Sequence, residues 1–224
     1  MQEGFFPSKL KQAKVIPVYK SDGETDPGNY RPISLLSIFN RIFEKLVYRQ
    51  LKHFLDKNDI LFKSQYGFRE KHSTRHAVID IVNIIQNNMD LELFTCGIFL
   101  DLKKAFDTVN HSKKLNHYGI RGIINDWFFS YLLGRSQVTE IDCNLSTINK
   151  ISCGVPQGSV LGPLLFLIYI NDFHNSLAKF SFYLFADDTN LLYADKNLKS
   201  LEKTLNNELV RVSDWLNAIC NNNI

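Results

Sequence analysis

The stretch "FSFYLFADDTNLLYA", residues 180–194, constrains the fold more than any other. Two runs rich in Phe, Tyr and Leu read as strands, and the acidic pair Asp187 and Asp188 falls where one ends and the next begins. Within a regular strand successive side chains point to opposite faces, so neighbouring aspartates share a target only where the backbone turns. The expectation is a β-hairpin with two carboxylates at its tip. Two unit charges about 4 Å apart repel by roughly 4 kcal/mol at an effective dielectric of about 20, so the pair needs either water or a cation. A solvated turn is the commoner fate of an isolated Asp-Asp, and the rest of the chain must decide.

A second acidic position bears on that choice. "CGIFLDLKKAFDTVNH" (96–111) carries an apolar, buried-looking strand straight into Asp101, and a helix is expected to start near Asp107, a good N-cap residue. If this strand pairs beside the hairpin, Asp101 meets Asp187, and Asp101, Asp187 and Asp188 converge. Such a cluster offers hard oxygen ligands without imidazole or thiolate. It suits Mg²⁺, and two such ions about 3.5–4 Å apart are the arrangement for in-line phosphoryl transfer.

Periodicity supplies the remaining elements. "SIFNRIFEKLVYRQLKHFL" (37–55) repeats apolar residues at Ile38, Ile42, Phe43, Leu46, Val47, Leu51 and Phe54, as an amphipathic helix does. "TRHAVIDIVNIIQNNM" (74–89) does so through Val78, Ile81, Val82 and Ile85, and a last helix from about Asn197 to Leu216 carries Leu198, Leu201, Leu205, Leu209, Val212 and Leu216 on one face. "LFTCGIFLD" (93–101) reads as a strand, "INDWFFSYLL" (124–133) as a helix, "SQVTEIDC" with "STINKIS" as a hairpin, and "PLLFLIYINDF" as a helix entered through Pro163. Strands mixed with helices point to an α+β or α/β sheet packed on one side.

Composition narrows the class. A chain of 224 residues with 45% hydrophobic content can bury the core of one large domain or two lobes. The apolar run "VLGPLLFLIYI" is too short to span a bilayer, and "MQEGFFPSKLKQAK" lacks the apolar centre of a secretory signal, so an intracellular protein without a membrane role is expected. Cys96, Cys143, Cys153 and Cys220 show no metal-ligand spacing and read as reduced packing residues. Residues 1–75 hold 14 Lys and Arg against 8 Asp and Glu, whereas residues 76–224 hold 12 against 15, so the basic half precedes the acidic one. A solvated basic face and a phosphate-binding one explain that equally well.

The motifs "LKQAKVIPVYKSDG", "NYRPISLL", "SQYGFREKHST", "FLDLKKAFDTVNH", "GVPQGSVLGPLLFLIYIND" and "FADD" follow one another along nearly the whole chain. In that order they resemble the reverse transcriptase domain of non-LTR (LINE, jockey-like) retrotransposons. The resemblance implies an α+β right-hand polymerase, with about 1–90 mainly fingers and about 91–224 mainly palm, the palm an antiparallel sheet with packed helices. It implies an RNA-directed DNA polymerase of a mobile element, working with two Mg²⁺ ions, or Mn²⁺, on an RNA template, a DNA primer and dNTPs. Asp101, Asp187 and Asp188 would be the catalytic, metal-binding aspartates, Asp188 the weakest claimant to direct ligation. Lys20 and Arg31 are assigned by similarity to the incoming triphosphate, Gln157 to a place beside the nascent base pair, and Phe106 to the sugar.

Each assignment has a physical reason. Lys20 ends "VIPVYK" before a turn and Arg31 precedes Pro32, so a loop between two cations can clamp a triphosphate. Gln157 projects between Pro156 and Gly158, and Gly158 permits close approach of a substrate backbone. The Phe106 ring beneath a sugar excludes a 2′-hydroxyl, which favours deoxyribonucleotides over ribonucleotides. Two rival functions stay open, a catalytically impaired nucleic-acid-binding remnant and an RNA-directed RNA polymerase. After "SDWLNA" the family's Lys-bearing strand is replaced by "ICNNNI", so the chain is expected to be truncated before the thumb and, alone, to extend a primer by few nucleotides or none. Nuclear action is implied by the resemblance; the residues do not choose between nucleus and cytoplasm, nor do they indicate an oligomeric state.

Overall fold

The computed structural model of the chain describes residues 3–101, 111–151 and 154–221. In chain order the elements are β1 (Gln12–Tyr19), β2 (Tyr30–Leu35), α1 (Ile38–Lys57), α2 (Thr74–Asp90), β3 (Phe94–Asp101), α3 (His111–His117), α4 (Ile123–Leu132), β4 (Arg135–Ile141), β5 (Asn144–Leu145), β6 (Asn149–Ile151), α5 (Gly162–Ile170), β7 (Ser181–Phe185), β8 (Asp188–Asp195) and α6 (Leu198–Asn221). The fold is mixed α and β, and the chain divides into two compact units that interleave along the sequence. One comprises Met1–Asn58 with Phe106–Ile168, the other Asp59–Ala105 with Tyr169–Ile224. Among the described residues no helix is long and apolar enough to cross a membrane.

In the first unit β1 forms an antiparallel hairpin with β2 and lies parallel to β4, giving the order β2-β1-β4-β5 with β6 also on β4. The expected hairpin of residues 136–152 is this β4–β6 pair. Cys143 is exposed at its turn, at φ +64°, and is not a packing residue. Ser37 caps α1 by accepting from the Asn40 N–H. The face that α1 buries matches the expected one at Val47 and Leu51 and departs from it elsewhere. Asn40, Glu44, Val47, Leu51 and Leu55 turn inward, while Ile38, Ile42 and Leu46 stay exposed. The reason is Glu44, whose carboxylate accepts from the Tyr131 O–H at 2.5 Å and the Val160 N–H at 2.7 Å, bonds that require it inside. Around it pack Phe6, Trp127 and Tyr131, with Trp127 and Tyr131 stacked at 5.3 Å and Phe6 edge-on to both. Each such fully buried large side chain contributes roughly 1.5–3 kcal/mol before entropy is counted.

In the second unit β3, β8 and β7 form an all-antiparallel sheet in that order. The expectation of a sheet packed on one side fails here, because both faces are covered. Ala77 of α2 packs with Tyr66, Tyr183 and Leu192 on one face. On the other, Phe173 meets Phe182 at 5.5 Å and Trp215 of α6 at 4.3 Å. Thr189 and Leu191 on one face and Leu192 on the other are all buried, as a doubly covered strand requires. β3 is the sheet's edge, with Phe94 and Phe99 exposed, rather than the buried strand its apolar run indicated. α6 buries Leu201, Glu208 and Val212 and leaves Leu198 and Leu209 outside.

Candidate metal centre

The acidic hairpin forms where the sequence places it. Phe185 of β7 pairs with Asp188 of β8, so Ala186 and Asp187 are the two loop residues. Ala186 has φ +56° and Asp187 has no positive φ, the pattern of a II′ turn, which matches the twist of the flanking strands. A residue other than glycine in that region costs about 1–2 kcal/mol, so the turn is held against strain.

Asp101 ends β3 directly opposite Asp188. The expected meeting of Asp101 with Asp187 is thus shifted by one residue: Asp188 shares the Asp101 face, and Asp187 sits beside them on the turn. Directly opposite residues have Cβ atoms about 4.5–5.5 Å apart. The Asp188 carboxyl is pushed above its usual range, first by partial burial, then by the charges of Asp187 and Asp101. Asp188 therefore lies within the field of both other carboxylates. Asp101 and Asp188 also border a cleft of about 350 Å³ whose walls include Ala77, Val78 and Ile81 of α2 and Phe99 of β3.

Among the described residues, no three Asp, Glu, His or Cys side chains are drawn together closely enough to enclose an ion as they stand. The chemistry of the donor set nevertheless fits a divalent cation. The oxygens it would offer are carboxylates alone, and among the described residues the charges that act on Asp188 are both negative.

The other expected site residues lie in the first unit. Lys20 extends the β1–β2 ladder by donating its N–H to the Asn29 carbonyl at 2.9 Å, and Arg31 stands opposite Val18. By the two-residue period of a strand, Lys20 and Arg31 leave one face of the hairpin end, and both are exposed. The Gln157 carbonyl accepts from the Ser34 N–H of β2 at 2.8 Å, and Gly158 has φ +97°. A Cβ at Gly158 would lie 3.2 Å from the Ser34 carbonyl oxygen, so glycine lets this loop seat on β2. Phe106 and Asp107 lie outside the described residues.

Three supporting residues escaped sequence reasoning. Glu44 holds the segment after Gln157 through Val160, and its signal was a carboxylate in register with the apolar stripe Val47, Leu51 and Leu55. Gln65 and Gly67 back the acidic turn: the Gln65 side-chain oxygen accepts from the Gly67 and Ala186 N–H groups. They belong to the motif "SQYGFREKHST", whose residues gave no local sign of that contact.

The family described as reverse transcriptase (RNA-dependent DNA polymerase) matches residues 18–221, most of the chain. The chain belongs to the reverse transcriptase family. Its relatives include the probable RNA-directed DNA polymerase from transposon BS of Drosophila melanogaster, 32% identical over 94% of this chain. The RNA-directed DNA polymerase from mobile element jockey of the same fly is 31% identical over 95%. The chain spans 24% of the length of each of these relatives. In fold it is similar to apo telomerase from Candida tropicalis truncated from its C-terminal domain, with a TM-score of 0.61 at 14% identity, over 90% of this chain and 47% of that one. The family match agrees with the resemblance that the six ordered motifs carry.

Proposed function

We propose that this chain is the fingers and palm portion of a mobile-element RNA-directed DNA polymerase, which joins dNTPs to a primer 3′-OH along an RNA template. The observation that carries the reading is the register that sets Asp101 opposite Asp188 with Asp187 in the adjoining strained turn. In it, the β3-β8-β7 sheet is the palm and the β1–β2 hairpin belongs to the fingers. Asp101, Asp187 and Asp188 would hold Mg²⁺, with Asp101 and Asp188 offering carboxylates from one face and Asp187 from the turn. Bound there, a pair of divalent ions supplies the positive charge that in-line phosphoryl transfer needs at the attacking and leaving oxygens.

The chain's own residues supply the rest. Lys20 and Arg31, exposed on one face of a hairpin end, are free to grip the triphosphate; Arg31 presents a planar fork and Lys20 a point charge. Gln157 and Gly158, on a loop seated against β2, support the nascent base pair, and Glu44 braces that loop from beneath. Phe106 is assigned to the sugar. Nucleic-acid partners follow from the relatives' printed activities and from the surplus of cations in residues 1–75.

Primer extension on an RNA template with deoxy- or ribonucleotides tests this reading. Addition of a first deoxynucleotide, read at single-nucleotide resolution because this chain is expected to extend by few nucleotides at most, and its loss in Asp101→Asn and in Asp187→Asn, is the expected result. Preference for ribonucleotides would make the chain an RNA polymerase, and duplex binding without addition would make it a nucleic-acid-binding remnant.

A further inference from the structure

Of the six ordered motifs, "SQYGFREKHST" is the one that the proposed chemistry leaves without a role. Its first residues run alongside the acidic hairpin. Leu184 of β7 donates its N–H to the Ser64 carbonyl at 2.9 Å, and the Tyr66 N–H returns to the Leu184 carbonyl at 2.7 Å, a short parallel bridge. Between these two bonds Gln65 is 3% exposed. Its Oε1 accepts from the Gly67 N–H at 2.9 Å and from the Ala186 N–H at 3.1 Å. Two converging donors dictate the orientation of the amide, because Nε2 in that place would face them with N–H groups. Nε2 is then buried with no partner among the described residues. That unpartnered nitrogen costs roughly 1–3 kcal/mol, but a leucine of similar size would leave the Gly67 and Ala186 N–H groups without their acceptor. What the glutamine secures is its bond to the turn.

Gly67 completes the contact. A Cβ there would lie 2.1 Å from the Ala186 nitrogen and 2.9 Å from its Cα, so the Gly67 backbone rests directly on the turn residue that adopts φ +56°. Tyr66 ties the segment to α2 by donating its O–H to Asp80.

From this geometry we infer that Ser64–Gly67 is a bracket for the metal turn, and that Gln65 is a positioning residue: it holds the Ala186 N–H, keeps Ala186 in its strained conformation and so fixes the direction in which Asp187 presents its carboxylate. The inference rests on the reading of Asp101, Asp187 and Asp188 as metal ligands. Gln65 acts on the ion through the turn, as partners behind metal ligands generally do, where loss of the partner weakens affinity by about 10- to 100-fold.

The test is titration of the full chain with Mn²⁺ alone, free ion being followed by electron paramagnetic resonance, beside amide hydrogen exchange. Wild type is expected to bind Mn²⁺ and Asp187→Asn to lose a site. Gln65→Leu is expected to bind about 10- to 100-fold more weakly, with unchanged far-ultraviolet dichroism and faster exchange at Ala186 but not at Tyr66 or Leu184. Equal Mn²⁺ affinity in wild type and Gln65→Leu overturns the inference. If wild type and Asp187→Asn bind Mn²⁺ equally, the metal reading fails and the role of Gln65 toward it falls with it. If Gln65→Leu does not fold, wild-type exchange decides: protection of the Ala186 amide supports the bracket, and exchange as fast as at an open turn refutes it.

Discussion

Removing one charge from the Asp101–Asp188 pair is expected to stabilise the metal-free chain while weakening its response to Mg²⁺. The two residues are directly opposite across antiparallel strands. At about 5 Å and an effective dielectric of about 20, two unit charges repel by roughly 3 kcal/mol. Both side chains are exposed, however, and like charges in that setting cost about 0.2–1 kcal/mol once water screens them. For a chain of this size 1 kcal/mol corresponds to about 2–4 °C, so Asp101→Asn should raise Tm by roughly 0.4–4 °C in chelator. The pH dependence has a definite sign. Because folding raises the Asp188 pKa, its contribution is fully present below the ordinary carboxylate value and is lost as pH rises through the raised value. Asp101→Asn removes one cause of that rise and should flatten the dependence. With Mg²⁺ at about ten times its Kd, wild type should gain roughly 1.4 kcal/mol and the variant much less. Differential scanning calorimetry in chelator and in Mg²⁺ reads both effects. A lower Tm for Asp101→Asn in chelator would rule out repulsion between the two carboxylates, and an Mg²⁺ response equal to that of wild type would rule out Asp101 as a ligand.

Gly67→Ala should cost on the order of 3 kcal/mol or displace the turn, since its Cβ would fall 2.1 Å from the Ala186 nitrogen; urea unfolding measures the loss. Glu44 is buried, and burial pushes its carboxyl up against the opposing bonds from Tyr131 and Val160. Its contribution is therefore greatest at low pH and lost as pH rises through the raised value, so Glu44→Gln should show a flatter urea midpoint than wild type across about pH 4 to 8. Lys20→Ala and Arg31→Ala should each raise the dNTP concentration for half-maximal extension by roughly tenfold, about 1.4 kcal/mol, yet leave the Mg²⁺-induced Tm rise intact.

What was legible in the sequence was what local chemistry encodes. Adjacent carboxylates between aromatic strands left the backbone one economical arrangement, and the hairpin turns at Ala186 and Asp187. The extents of α1, α2 and α4 followed from apolar spacing within about two residues of each end. Partners distant along the chain were illegible. Whether Glu44 or Ile42 faces inward depends on Tyr131 and Val160, 87 and 116 residues away. The role of Gln65 depends on Ala186, 121 residues away. The register that chose Asp188 over Asp187 as the partner of Asp101 is a one-residue matter, and a period of two gives a single strand no means of announcing it. The covered second face of the β3-β8-β7 sheet went unseen because Phe173 and Trp215, which close it, lie in segments whose own patterns name no target.

Paramagnetic broadening locates a bound ion directly and so tests whether the strained turn and the end of β3 hold one. Substoichiometric Mn²⁺ added to the isotopically labelled chain should broaden the amide signals of Leu100, Asp101 and Ala186–Thr189 first, leaving Phe94 and Asp195 at the far end of the β3–β8 ladder sharp, and Asp187→Asn should remove the effect. Broadening centred elsewhere, or unchanged in Asp187→Asn, would contradict the account.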